Sequence, residues 1–347
     1  MPASVRPVHR TLIAPTDASN PRNGEGSIVP LSDGRLLLAW SHFADGHDHS
    51  PSEIWARTSA DGGYTWSEPW VLQENIGRCN VMCVSLLRLA SGALLFGFLL
   101  KNHHEVDCRM YVRRSPDDGA TWESPVLVTP DLAYYVVNND RLVQLSTGRL
   151  VVPIAKSTDA TYHGLAGCFY SDDEGRTWVR PHEWLDAPGS AGAQEPGIVE
   201  CPDGSLWMWV RTSEGYIYAN RSTDGGLHWT PMERTSLIAP TSPASAKRLP
   251  GSDAILMLYN DRAGVPREAD LQRFEWRTPL VATVSYDGGR TWGPRRLVES
   301  DLTRSYCYAS IAFHGAHTLL TYYVGKAGGH NLIDLRLTIV PTEEWTS

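Results

Sequence analysis

Six pairs of polar residues carry the groups in this chain that could do chemistry: Glu25 with His42, Asn80 with His103, Asn139 with Lys156, Glu195 with Arg211, Ser242 with Asp261, and Tyr308 with Tyr323. Each pair is expected at the open end of an antiparallel hairpin whose interior positions are apolar. Carboxylates and imidazoles there can move protons, and arginine can hold a carboxylate through its planar fork. Converging on one rim, the pairs describe a polar pocket of carbohydrate size.

The elements that must position these pairs are copies of one unit. In Gln194 to Trp229 a polar opening leads into a hairpin that turns at Asp203-Gly204, a strand ending at Arg211, and the signature Ser222-x-Asp224-x-Gly226-x-x-Trp229. Asp-Gly between alternating apolar runs supplies the positive φ of a tight turn. In the signature the aspartate caps backbone N–H groups, the glycine takes a left-handed position, and the tryptophan packs between neighbouring units. The signature recurs at Ser59, Ser115, Ser171, Ser222 and Ser285, at intervals of 56, 56, 51 and 63 residues. The turn glycine recurs six times, as Gly34, Gly92, Gly148, Gly204, Gly251 and Gly315. Because Asp61, Asp117, Asp173, Asp224 and Asp287 repeat identically and a catalytic residue occurs once, these aspartates read as turn formers.

Four strands per unit, six units and no useful helical periodicity predict an all-β fold, a single six-bladed β-propeller over residues 1–347. The units run over roughly 22–75, 76–130, 131–187, 188–238, 239–300 and 301–345. The last is one strand short, and the apolar segment Val5 to Ile13 is expected to supply it and close the ring. In such a blade the hairpin turns and signature turns share one end, so the polar pairs belong to the opposite end.

A net charge of −8 argues against nucleic acid as a partner, since phosphate neutralisation needs a basic face. No apolar run approaches a membrane span, and the first residues lack the pattern of a secretion signal. A cytoplasmic, non-membrane protein is therefore expected. The six cysteines show no metal-ligand spacing and read as reduced, mostly buried thiols, so neither a metal nor a cofactor is called for.

Repeated S-x-D-x-G-x-T-W turns resemble the Asp-box (BNR) repeats of the sialidases, which are six-bladed propellers. The likeness spans essentially the whole chain, and more specific motifs accompany it. The order EPGIVECPDG, then WMWVR, resembles the sialidase unit that bears a catalytic glutamate and a triad arginine, which implies Glu195 as base and Arg211 as carboxylate clamp. Arg277 ahead of PLVATVS resembles another triad arginine. YCYASI resembles the segment of the tyrosine nucleophile, implying Tyr308 in that role with Tyr306 as its alternative and a substrate neighbour. The loop HFADGHDHSPSE occupies the place of the acid/base aspartate, best matched by Asp48. Arg22 is the residue matched to the first triad arginine, but it lies a few residues early and Glu25 occupies the nearer position. The third unit opens on Tyr134-Tyr135-Val-Val-Asn138-Asn139-Asp140-Arg141, and Asn139, Arg141, Lys156 and His103 join the expected substrate contacts.

The resemblance implies a retaining exo-glycosidase acting on a carbohydrate partner with a carboxylate, such as sialic acid. A neutral tyrosine nucleophile is not repelled by that carboxylate. Asp48 would need a raised pKa to protonate the leaving oxygen, which desolvation by its loop would supply. Two other readings fit the residues. A lyase for uronate-containing glycans would use a tyrosine or histidine base, for which His42, His103 and His163 stand near Asn139. A carbohydrate-binding propeller would use the rim without chemistry.

Overall fold

A computed structural model describes residues 2–157, 162–263, 277–326 and 330–346. The alternating apolar runs form six sheets of four or five strands, and the described residues contain one short 3-10 turn, Thr342–Trp345, as their only helical element. The sheets are the blades of a β-propeller, named I to VI here in chain order. Blade I consists of Arg22–Pro30, Leu36–Phe43, Ser52–Ser59 and Trp70–Gln73, each antiparallel to the next. Blades II and IV repeat this meander, with inner strands Asn80–Arg88 and Gln194–Glu200.

The ring closes in blade VI, where Arg304–His314, His317–Lys326 and Asp334–Pro341 are joined by His9–Ala14 from the start of the chain. His9 stands opposite Ile339 and Ala14 opposite Leu335, a strand set later in the chain than Val5 to Ile13. Val5 itself belongs to blade V: its N–H donates to Leu297 O at 2.9 Å, continuing the parallel pairing of Ala3–Ser4 with Arg296–Glu299.

The signature turns are built as their residue types require. In the first, Ser59 Oγ donates to Asp61 Oδ1 at 2.8 Å, Asp61 Oδ1 accepts the Thr65 N–H at 2.9 Å, and Trp66 Nε1 donates to Gly63 O at 2.9 Å. The Thr65 hydroxyl and N–H bonds bring the Asp61 carboxyl down to about 2. Each signature tryptophan, Trp66, Trp122, Trp178, Trp229 and Trp292, packs against an apolar cluster that joins its own blade to the preceding one, and the Trp292 ring lies 5.4 Å from that of Trp207. Blade VI lacks a signature, and Trp345 from the closing 3-10 turn fills the V–VI seam instead. Its Nε1 donates to Thr318 Oγ1 at 2.9 Å.

Blade III departs from the pattern. Its inner strand is broken into Tyr135–Val136 and Val143–Gln144, both paired to Leu150–Ser157, and the six residues between them leave the ladder. Asp140 lies in this gap and ties four other blades together at the axis. Its N–H donates to Val84 O, while its carboxylate accepts from Ser27 Oγ, Lys247 Nζ and the Ile311 N–H.

Two outcomes test this account of the ring. Asp173→Ala removes the acceptor of three turn bonds and lowers stability by about 1–3 kcal/mol in urea unfolding, leaving binding at the far rim unchanged. Trp345→Ala, which empties a seam, costs about 3–5 kcal/mol.

Candidate active site

In four inner strands one extra residue interrupts the ladder, between Gly24 and Ser27, Met82 and Ser85, Gln194 and Gly197, and Cys307 and Ser310. The first residue of each bulge is left-handed: Glu25 (φ 55), Cys83 (φ 63), Glu195 (φ 45) and Tyr308 (φ 54), with Asp140 (φ 59) in the blade III gap. A bulge re-aims a side chain that would otherwise lie on a sheet face. Here it brings side chains from non-adjacent blades into contact. Tyr308 of blade VI donates its hydroxyl to Glu195 Oε1 of blade IV at 2.8 Å.

Around this bond stand two arginines. Arg211 Nη1 donates to Glu195 Oε2 at 2.7 Å. The Arg277 guanidinium carbon lies 5.4 Å from the Tyr308 ring centre, with Nη1 donating to Cys307 Sγ at 3.3 Å and no carboxylate partner among the described residues. Burial works against the charge of Glu195, but Arg211, then Arg277 and the Tyr308 hydroxyl, outweigh it and hold the carboxyl below the usual glutamate range. Burial and the same carboxylate push the Tyr308 phenol well above its ordinary value. At neutral pH the pair is a neutral tyrosine hydrogen-bonded to an ionised glutamate, with two guanidinium groups beside it.

Blade I contributes a second cluster. Arg22 is 1% exposed, and all three of its nitrogens are engaged: Nε donates to Tyr323 Oη at 2.9 Å, Nη2 to Glu25 Oε1 at 3.0 Å, and Nη1 to Asp48 Oδ1. Gly24 makes room for Tyr323, since a Cβ there would fall 2.0 Å from the ring. Burial raises the Glu25 carboxyl above its ordinary value despite Arg22. For Asp48 burial is outweighed by the charge and hydrogen bond of Arg22, so its carboxyl lies below the ordinary aspartate range. This reverses the raised value expected of it, because the loop sets the Asp48 carboxylate against the Arg22 guanidinium.

The two clusters face a cavity of about 80 Å3 lined by Glu25, Asp48, Cys83, Lys101, Glu195 and Tyr308, with Met82, Leu99, Cys108 and Tyr134 as its apolar wall. A roomier cavity of about 670 Å3 opens at the opposite, hairpin-turn end of the axis, away from these groups.

Of the residues singled out in the sequence, Tyr308, Glu195, Arg211, Arg277 and Asp48 converge on this end of the ring. The others are placed differently. Arg22 presents no free fork, being taken up by Glu25, Asp48 and Tyr323. Asn139 is buried and donates to Gly26 O at 2.7 Å and Tyr308 O at 3.1 Å, so it fastens the bulges of blades I and VI from below. Arg141 bonds Asn139 O, Ser245 Oγ and Ala244 O and lines the opposite cavity; burial pushes its pKa down to about 10. Lys156 stands opposite Tyr135, its Nζ 5.8 Å from the Trp184 ring. Tyr306 packs in the V–VI core, where burial and the Glu299 carboxylate push its phenol up to about 12.

The histidines also lie outside the cavity lining. His103 is an exposed residue at a strand end, accepting the Glu105 N–H at 3.1 Å; His42 stacks on Trp55; and His163 pairs with Asp186 at 2.8 Å. The register explains the largest miss. The hairpin register and the bulge, one position each, put Lys101 and not His103 opposite Asn80, and Lys101 is buried in the cavity wall. A basic residue among the apolar positions of Leu94–His103 was the available signal.

The site and fold define a six-bladed Asp-box propeller with a tyrosine–glutamate pair between arginines at its axis. The chain belongs to the family described as BNR repeat-like domain, whose model matches residues 78–319. It is similar to a protein named sialidase from Micromonospora viridifaciens, 28% identical over 332 residues that cover 85% of this chain and 48% of that protein. It is also similar to an anhydrosialidase from Macrobdella decora, 33% identical over 141 residues, 38% of this chain and 18% of that protein. The chain thus spans less than half the length of these relatives. A leech intramolecular trans-sialidase structure superposes with a TM-score of 0.76 at 17% identity, covering 97% of this chain and 70% of that one, a likeness of fold.

The blade I cluster yields a stability test. Gly24→Ala drives a Cβ into the Tyr323 ring and costs about 1–3 kcal/mol by overpacking. Tyr323→Phe, which keeps the ring and deletes one acceptor, costs about 1 kcal/mol. Chemical denaturation of both variants ranks them in that order.

Proposed function

We propose that the chain is a sialidase-like glycoside hydrolase that removes a terminal acidic sugar, sialic acid or a relative, from a glycoconjugate with retention of configuration. The observation that carries this reading is the Tyr308 hydroxyl donating to Glu195 between Arg211 and Arg277.

Arg211 and Arg277 hold the sugar carboxylate in this scheme, each keeping guanidinium donors beyond its protein partner. The Tyr308 oxygen attacks the anomeric carbon as Glu195 takes its proton, and the glycosidic bond breaks as Asp48 protonates the departing oxygen. A water deprotonated by Asp48 then attacks the same carbon, and Tyr308 leaves and recovers its proton from Glu195. A carboxylate nucleophile would meet the substrate's own charge; the neutral phenol avoids this. Arg22 orients Asp48 instead of binding substrate. With His42, His103 and His163 outside the cavity lining, the lyase reading loses the imidazoles that supported it.

Two kinetic outcomes test the scheme. Tyr308→Phe lowers kcat on a nitrophenyl glycoside of a sugar acid by roughly a thousandfold with the melting curve nearly unchanged. A variant that keeps its activity, or products absorbing as unsaturated sugars, contradicts it. The second outcome concerns pH. Glu195 must be ionised, so kcat/KM is lost as pH falls through its lowered pKa. Asp48 must be protonated, so kcat/KM is lost as pH rises through its own lowered pKa. With natural leaving groups the optimum is therefore acidic, between two carboxyl groups that both lie below their ordinary range. Nitrophenolate leaves without a proton, so nitrophenyl substrates lose the upper limb in a pH–rate profile.

A further inference from the structure

Lys101 is the one charged member of the cavity wall with no partner at ion-pair distance among the described residues, although its charge acts on Glu25 and Asp48. It is 1% exposed, and it forms no ion pair among the described residues. Its Nζ donates to the Asp48 carbonyl at 2.8 Å, lies 3.5 Å from His49 Nδ1, too long for a strong bond, and stands 5.5 Å from the centre of the Tyr134 ring. An ammonium has three donors, and only the bond to the Asp48 carbonyl is short. The Asp48 carbonyl does not require it, because Asn80 Nδ2 also donates there at 2.9 Å.

Across the same cavity is Glu25. Its carboxylate accepts from Arg22 Nη2, Ser41 Oγ and Cys83 Sγ, three of about four acceptor positions, so roughly one is left over. An unspent donor thus faces an unspent acceptor over about 80 Å3, beside Tyr308 and Glu195. The group that satisfies both walls at once is a hydroxyl, which accepts and donates.

We propose that Lys101 is a specificity-determining residue: with Glu25, which lines the same cavity, it recognises a hydroxyl-bearing substituent on the sugar acid held at Tyr308. This rests on the sugar-acid reading of the site and deepens it, naming the feature by which one acidic sugar is told from another. Sites built to bond a hydroxyl reject the analogue that lacks it, since their buried polar groups are then left unpaired.

The test is equilibrium binding, which does not depend on turnover and so fails separately from the hydrolase scheme. Free glucuronic acid, N-acetylneuraminic acid and their single-position deoxy analogues are titrated calorimetrically into the wild-type chain and into Lys101→Met. For one parent acid, one deoxy analogue binds the wild type about tenfold or more weakly, whereas Lys101→Met binds parent and analogue alike. Lys101→Met also melts close to the wild-type temperature, because its one short bond goes to a carbonyl that Asn80 also serves. The inference is overturned if the parent-to-deoxy ratio is the same in both proteins, if none of these acids binds the wild type, or if Lys101→Met melts lower and weakens parent and analogue equally. That last result would assign Lys101 to holding the Asp48 loop.

Discussion

In an antiparallel ladder, successive side chains alternate between the two faces of the sheet, and in a propeller both faces are covered by neighbouring blades. A side chain that must reach the axis therefore has to leave the alternation. The inner-strand bulges at Glu25, Cys83, Glu195 and Tyr308 do this by holding a residue in the left-handed region, a conformation that a non-glycine residue adopts at a cost of about 1 kcal/mol or more. The surrounding ladder and the bonds from Asn139 to Gly26 O and Tyr308 O keep the bulges in place. The pairing of Tyr308 with Glu195, and of Arg22 with Glu25, follows from that local choice of backbone.

The electrostatics of the site follow from how its charges are distributed around the axis. Glu195 is shared between Arg211 and the Tyr308 hydroxyl, so it stays ionised despite burial, and the tyrosine beside it stays protonated. Arg22, with three partners, stabilises Glu25 and Asp48 and has little left for a ligand. The cationic capacity left over lies with Arg277, the outer donors of Arg211, and Lys101. They flank the cavity from different blades, so an acidic sugar bound there would meet cations at more than one edge of its ring.

Much of the fold was legible because the signature turn is a self-contained device: Ser, Asp, Gly and Trp each bond within a few residues of one another, so their spacing alone reports the turn. Glu195, Arg211 and Tyr308 were legible for a related reason, since they sit close to a hairpin whose turn can be counted from. The bulges were not visible. Glu, Cys and Tyr at the left-handed positions give no glycine signal; the hairpin register alone sets Asn102 opposite Asn80, and the unseen extra residue moves the partner one further, to Lys101. The broken inner strand of blade III defeated the same counting: it takes Asn139 and Arg141 out of the ladder and sets Tyr135, not Asn139, opposite Lys156. The proton affinity of Asp48 was out of reach too, because Arg22, which sets it, lies on another strand.

The most direct test of the account is to trap the sugar on the nucleophile. A sugar-acid fluoride with a second fluorine beside the anomeric carbon reacts quickly at the first step and slowly at the second, so the intermediate accumulates. The account predicts one added glycosyl mass per chain, mapped by proteolysis and mass spectrometry to the peptide containing Tyr308 and absent from Tyr308→Phe. A glycosyl mass on Glu195 or Asp48, or steady turnover of natural substrate with no adduct on any residue, would contradict it.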